Sequence, residues 1–208
     1  MRELFVSTGN QHKLSEIEKI LKTAWPDSQL TLKSVGHLPA ELQRQYQPVE
    51  DGNTYAENAL IKAKALYRLI NQPVIAEDSG LEVDALQGAP GFHSARYGDS
   101  DDQRIERILT SIKAEPYSEG GVQLLSRARF VACICLLLSD EDAIYFFGTV
   151  DGHIQAIRDG KAGFGYDPVF YYPPAAQTFA AMGEEKMQVS HRFKALTKLF
   201  NFLAQNHT

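Results

Sequence analysis

Residues 3–21 read ELFVSTGNQHKLSEIEKIL. Leu4 to Val6 form a short apolar run, and Ser7-Thr8-Gly9-Asn10 closes it. Near Lys13 the period changes to helical spacing, with Leu14, Ile17, Leu21 and Ala24 on one face. The pattern predicts a strand at Leu4–Ser7 and a helix at His12–Thr23. A strand that ends in small residues and feeds a helix leaves backbone N–H groups unpaired at the positive end of the helix dipole, which suits an anion. Gly9 admits a phosphate to the backbone, Thr8 and Asn10 can donate hydrogen bonds, and Lys13 adds a point charge one turn in. The segment also reads as an ordinary strand-to-helix turn with a surface lysine. The Walker pattern G-x-x-x-x-G-K-[ST] is absent.

Working outward, the pattern predicts a strand at Gln29–Val35 and then loop from Gly36 to Asn53. A second helix opens with the capping box Thr54-x-x-Glu57 and carries a stripe of Tyr55, Ala59, Ala63, Leu66 and Ile70, ended by Pro73. VIA, residues 74–76, reads as a short buried strand that stops at Glu77-Asp78-Ser79-Gly80. LEVDAL alternates like a half-exposed strand, closed by the turn residues of QGAPGF. Ser100-x-x-Gln103 caps a third helix with Ile105, Ile108 and Ile112 inside. ARFVACICLLLS and AIYFFGTVDGHIQAI predict a long β-hairpin turned at Ser139–Asp142. DGKAGFGYDP reads as a glycine loop. The last helix, about Ser190–Ala204, has Val189, Phe193, Leu196, Phe200 and Leu203 at helical spacing. Together these predict an α/β fold with an elongated mixed central sheet flanked by helices and a cleft between two lobes, in a single domain over residues 1–208.

The 208 residues suffice for a core of ordinary size, and the composition, 44% hydrophobic and 23% charged, is globular. A net charge of −5 without a basic run argues against nonspecific binding of nucleic acid or anionic membrane. No apolar run reaches the roughly 20 residues that a membrane-crossing helix needs, and the N-terminal run is too short for a signal peptide. Cys133 and Cys135 stand two apart on a predicted strand, on one face, and read as buried reduced thiols in a cytoplasmic protein.

Eight further positions carry chemistry. Glu77 and Asp78 are adjacent and face opposite ways on an extended backbone, so one enters a site and the other supports it. A carboxylate there can hold Mg²⁺ or orient a water, or can satisfy backbone N–H groups in a solvated turn. Glu50 lies in the loop before the second helix, and Lys62 shares a helix face with Asn58; each alone reads as solvent-facing. In GFGYDPVF two glycines bracket Phe164, leaving its ring open for a base to stack on while Asp167 accepts from a ring N–H; an aromatic-packed turn is the plainer reading. His191 and Arg192 stand at the first turn of the last helix and oppose its dipole, which points to a job beyond helix stability or to a salt bridge.

The motifs TGNxxK, E-x-G-x-T-[YF]-x-E-N-A-x-x-K-A, DSGLxVDxLxGxPGxxSARY, GFGYDPxF and SHRxxAL, in this order from Phe5 to about Leu203, resemble the inosine triphosphate pyrophosphatase family. The resemblance implies an elongated α/β fold with a nucleotide cleft between two lobes, a homodimer, and Mg²⁺-dependent hydrolysis of ITP, dITP or XTP to the monophosphate and pyrophosphate. By motif, Thr8, Gly9, Asn10 and Lys13 would cradle the phosphates with Lys62, and Glu50 and Asp78 would hold Mg²⁺ with Glu77 near it. Asp78 would also activate the attacking water. Phe164 would stack on the base, Asp167 and Lys186 would fix it, and His191 and Arg192 would read the 6-keto edge. Gln11, His12, Ser79, Gly165 and Tyr166 complete the implied substrate contacts. An obligate donor such as Arg192 is satisfied by a 6-keto oxygen and left unpaired by a 6-amino group, which disfavours adenine. Two stretches depart from the family: GHLPAELQRQYQPV, residues 36–49, is longer than usual, and AIRDGKAG replaces a proline-containing turn. A Maf-like pyrophosphatase for pyrimidine or modified nucleotides and a nucleotide-binding sensor without turnover are the competing readings. The first is disfavoured because its S-x-S-P-R-R motif is absent, the second because Lys13 and Asp78 are both present.

Overall fold

The structure, a computed structural model, describes residues 3–8 and 11–206, with the backbone alone described at Gln11, His12 and Glu119. Gly9 and Asn10 therefore lie outside the described residues.

The chain opens β1 (Glu3–Val6), α1 (Gln11–Ala24), β2 (Thr31–Ser34), α2 (Ala40–Gln45), α3 (Tyr55–Ile70), β3 (Val74–Val83). It continues through β4 (Pro90–Gly91), α4 (Asp101–Ser111), β5 (Tyr117–Glu119), β6 (Val122–Leu137) and β7 (Ala143–Gln155). It closes with β8 (Phe170–Tyr172), β9 (Gln177–Thr178), α5 (Phe179–Met182) and α6 (His191–Asn206). The strand order is β2-β1-β3-β6-β7-β8-β9, with β4 on β3 and β5 on β6. This is the mixed α/β fold with a central sheet and flanking helices that the alternation of periods predicts.

The chain divides into two compact units, and β3, β6 and β7 each contribute to both. The first comprises residues 1–78, 132–148 and 192–208. Within it β1 runs parallel to β2, pairing Leu4 with Leu32, and parallel to β3, pairing Val6 with Ile75. Parallel neighbours require crossovers, which α1 and α3 supply. Leu14, Ile17, Ile20 and Leu21 of α1, Ala59, Ala63 and Leu66 of α3, and Leu196, Leu199, Phe200 and Leu203 of α6 are buried at helical spacing. Cys133 and Cys135 are free and buried on β6, and burial pushes both thiols up to about 12.

The second unit comprises residues 79–131 and 149–191. Its core gathers Leu81, Val83, Ile105, Ile108, Phe130, Ile154, Phe170 and Phe179. The predicted caps are present: the Thr54 and Ser100 hydroxyls accept from Glu57 N and Gln103 N. The hairpin turns where expected, with Leu138 N donating to Asp142 O at 3.0 Å.

Two expectations need correction. The stretch from Gly36 to Asn53 is not all loop, because it holds a 3-10 turn at Val35–His37 and the helix α2. That helix buries none of its residues, so it has no apolar stripe for a periodicity reading to find. It is held instead by Gln43 Nε2, which donates to Leu38 O at 2.7 Å. Second, β3 does not stop at Glu77 but runs ten residues from Val74 to Val83. The strand continues because Leu81 N donates to Ser94 Oγ at 2.8 Å and Gly80 lets β4 approach. A β-carbon on Gly80 would stand 2.1 Å from Gly91 O. Ser94 Oγ in turn donates to Gly91 O at 2.6 Å, which gives the SGL and PGxxS motifs a packing role.

Candidate active site

In the first unit, α3 presents Asn58 and Lys62 one turn apart. Lys62 Nζ donates to Glu50 Oε2 at 2.8 Å and to Asp78 Oδ1 at 2.9 Å. Asn58 Nδ2 reaches Asp78 Oδ2 at 3.5 Å. Two residues expected at most to face solvent when read singly, Glu50 and Lys62, thus converge on a buried aspartate through tertiary contact. Burial pushes the Asp78 carboxyl above its ordinary range, against the pull of Lys62. Burial lowers Lys62, but Asp78 and Glu50 outweigh it, so the lysine stays above its ordinary value.

Glu77, on the other side of the strand, makes a second cluster. Its carboxylate accepts from Arg192 Nε at 2.6 Å and Nη2 at 2.8 Å, a bidentate pair. Arg192 Nη1 also donates to Glu16 Oε2 on α1, and Lys13 lies 3.9 Å from Glu77. Glu77 pulls Lys13 upward, yet burial and the charges of Arg192 and Lys62 leave it below its ordinary value. Burial lowers Arg192, but Glu77 and Glu16 hold it above its usual range, so it remains charged. The salt bridge weighed from the sequence is therefore real and accounts for a cation at the start of α6.

Thr8 is half-buried at the end of β1, its N–H donating to Val6 O at 2.8 Å. Gln11 and His12 open α1 as backbone. Beside them Ser7 Oγ donates to Lys62 O at 2.7 Å and lies 2.7 Å from Tyr46 OH. Because the Ser7 proton is used on Lys62 O, the tyrosine hydroxyl donates to Ser7.

The second unit holds the other expected residues. Phe164 is 47% exposed, unusually open for a large apolar side chain. Lys186 Nζ sits 5.1 Å from its ring centroid and pairs with Asp167, and both charged residues are buried. Phe164 N donates to Asp167 Oδ2 at 3.0 Å. Gly163 has φ +80°, and a β-carbon there would stand 2.1 Å from Asp167 Oδ2. Gly165 has φ +63°, and its N–H donates to Asp101 Oδ2 at 2.7 Å. Tyr166 is buried, with its hydroxyl donating to Ser94 O at 2.9 Å, so its side chain builds the turn. His191 is buried and stacks on Phe130, with ring centroids 4.8 Å apart and planes 11° apart. Ser79 follows Asp78 on β3 and is half-buried.

The donor set in the first unit suits a divalent cation of the Mg²⁺ type. Oxygens of Glu50 and Asp78 already gather on one cationic atom, the Lys62 ammonium. Mg²⁺ prefers one or two carboxylates and takes its other ligands from water and phosphate. Among the described residues no group of three His, Cys, Asp or Glu side chains gathers as a metal cage.

The sequence pattern of the Ham1 family matches residues 4–202. The chain belongs to the Ham1 family. A dITP/XTP pyrophosphatase of Synechocystis sp. is 41% identical over 204 residues, covering 97% of this chain and 95% of that protein. One from Treponema denticola is 38% identical over 209 residues, covering 97% and 98%. Among solved structures, a HAM1 protein from Coxiella burnetii superposes with a TM-score of 0.83 at 31% identity, covering 99% of this chain and all of that one. The Staphylococcus aureus Ham1 protein gives 0.79 at 35% identity, covering 98% and 99%.

Reasoning from sequence missed three residues that pack among these side chains. Asn58 was legible as a polar residue on the core stripe of α3, one turn before Lys62. Glu16 and Tyr46 left no such signal, since each acquires its role only from a partner 176 or 39 positions away.

Proposed function

We propose that this chain hydrolyses non-standard purine nucleoside triphosphates, ITP, dITP and XTP, to the monophosphate and pyrophosphate, and so cleanses the nucleotide pool. The observation that carries the reading is the buried Asp78 carboxylate beside Lys62 and Glu50. Membership of the Ham1 family, with curated relatives named dITP/XTP pyrophosphatase, supports the substrate class.

Lys13 and Lys62 take the triphosphate, with Thr8, Gly9, Asn10, Gln11 and His12. Glu50 and Asp78 hold Mg²⁺, which when bound supplies positive charge against the phosphate oxygens. The first-unit cluster has three cations, Lys13, Lys62 and Arg192, against four carboxylates, Glu16, Glu50, Glu77 and Asp78. Added divalent charge turns this balance positive, as an anionic substrate requires. Asp78 orients a water and accepts its proton as the water oxygen bonds to the α-phosphorus. The bond from that phosphorus to the bridging oxygen breaks, and pyrophosphate leaves. A carboxyl raised by burial is a better base than an ordinary one.

Phe164 offers a ring for the base to stack on, while Asp167 and Lys186 hold that ring's loop and fix the base. Gly165 and Tyr166 contribute backbone there, and Ser79 contacts substrate beside Asp78. His191 and Arg192 read the 6-keto oxygen. The two units act as one pyrophosphatase domain, in a cytoplasmic homodimer with no nucleic-acid or membrane partner. Two free buried cysteines support a reducing compartment, and among the described residues no helix is long and apolar enough to cross a membrane.

The test is pyrophosphate release from ITP, dITP, XTP, GTP and ATP with Mg²⁺, for the wild type and Asp78→Asn. Turnover of the first three, little of the others, and collapse in the variant are expected. ITP binding without cleavage of any triphosphate would instead make the chain a sensor.

A further inference from the structure

Asn58 is wholly enclosed, at 0% exposure, on the face of α3 that also carries Lys62. Its side chain touches both carboxylate-bearing segments. Oδ1 accepts from Gly52 N at 2.9 Å, in the loop that holds Glu50, and Nδ2 faces Asp78 Oδ2 at 3.5 Å on β3. The orientation of the amide is dictated, because the Gly52 N–H can only donate and so must meet the oxygen. The loop is pressed onto this group. A β-carbon on Gly52 would stand 2.8 Å from Asn58 Oδ1 and 2.7 Å from Glu57 Cβ. Asn53 N, donating to Glu57 Oε2 at 2.6 Å, ties the next residue of the loop to the same helix.

Lys62 also joins Glu50 to Asp78, but through an ammonium on a flexible four-carbon stem. The Asn58 amide has two side-chain torsions, both enclosed by packing, and is the stiffer link. We propose that Asn58 is the positioning residue that registers Glu50 against Asp78, with Gly52 shaped to receive it, so that the two carboxylates stand ready for one divalent cation. This rests on reading Glu50 and Asp78 as the metal-holding pair. Groups that orient metal ligands are worth about 10–100-fold in affinity or activity, and Asn58 falls in this class.

The test measures Mn²⁺ binding without nucleotide, from the electron paramagnetic resonance signal of the free ion, for the wild type, Asn58→Ala and Gly52→Ala. Both variants are expected to bind Mn²⁺ about 10–100-fold more weakly. The Mg²⁺ concentration for half-maximal pyrophosphate release from ITP should rise in parallel, while KM for ITP at saturating Mg²⁺ moves less than about threefold. A merely structural role would lower the melting temperature and leave the Mn²⁺ affinity of the folded protein unchanged, and that result overturns the proposal. Should Asn58→Ala fail to fold, Gly52→Ala disturbs the same contact from the loop side, and undiminished affinity there overturns it equally. A wild type that binds Mn²⁺ and cleaves no triphosphate, with both variants weakened, supports the clamp and sinks the functional reading. A wild type that binds no Mn²⁺ sinks the clamp.

Discussion

Replacing Glu77 with Gln puts the sharpest strain on the buried charge network. The Arg192 and Glu77 side chains are only 5% and 6% exposed, and two of the guanidinium's bonds, at 2.6 and 2.8 Å, go to this carboxylate. Glutamine keeps one acceptor, turns an amide donor toward an N–H group, and removes the balancing charge. Breaking a buried pair from one side costs about 3–5 kcal/mol, because the remaining charge is left in a low-dielectric setting. For a chain of this length each kcal/mol lowers the melting temperature by about 2–4 °C, so Glu77→Gln should melt roughly 6–20 °C below the wild type. Glu16→Gln is the internal control: its carboxylate is 30% exposed and accepts one bond from Arg192, so about 1 kcal/mol is expected. The double variant Glu77→Met/Arg192→Met should recover much of the loss, since most of the orphaned charge is gone, while remaining inactive. Calorimetry or urea unfolding reads all of these. If Glu77→Gln melts within a degree or two of Glu16→Gln, the network does not carry the weight assigned to it.

Other perturbations have distinct signatures. Lys13 titrates below its ordinary value in the folded chain, so the unfolded chain holds the proton more tightly, and stability from this group rises with pH between the folded value and about 10.5. Lys13→Met should accordingly keep or raise the melting temperature at pH 7, remove that pH-dependent gain, and lose triphosphate turnover; a clear drop in stability at pH 7 would contradict it. Phe164→Ala removes a half-exposed ring, so stability should change by less than about 1 kcal/mol, while KM for ITP rises by about 5–150-fold if the ring stacks on the base; steady-state kinetics decide. Gly163→Ala must place a β-carbon into Asp167 at φ +80°. It should cost at least about 1 kcal/mol from backbone conformation alone and weaken ITP binding, as unfolding curves and equilibrium titration would show.

The chain's own residues determined most of the secondary structure, because periodicity and capping are local. Leu14, Ile17 and Leu21 announce α1, Thr54 and Ser100 mark two helix starts, and the turn at Ser139–Asp142 marks the hairpin. The spacing of Glu77 and Asp78 already implied one carboxylate to each side of an extended strand, and the structure sends Asp78 to Lys62 and Glu77 to Arg192. What locality could not reach was decided by the tertiary structure. The helix α2 buries nothing and so left no pattern, and β3 runs past Glu77 only because Ser94 and Gly91 meet it from a later stretch of chain. Glu50 and Lys62 look like solvent-facing residues one at a time. They become a cluster when α3 and β3 bring Lys62 between Glu50 and Asp78, and the low dielectric there gives charges of ordinary type their unusual strength.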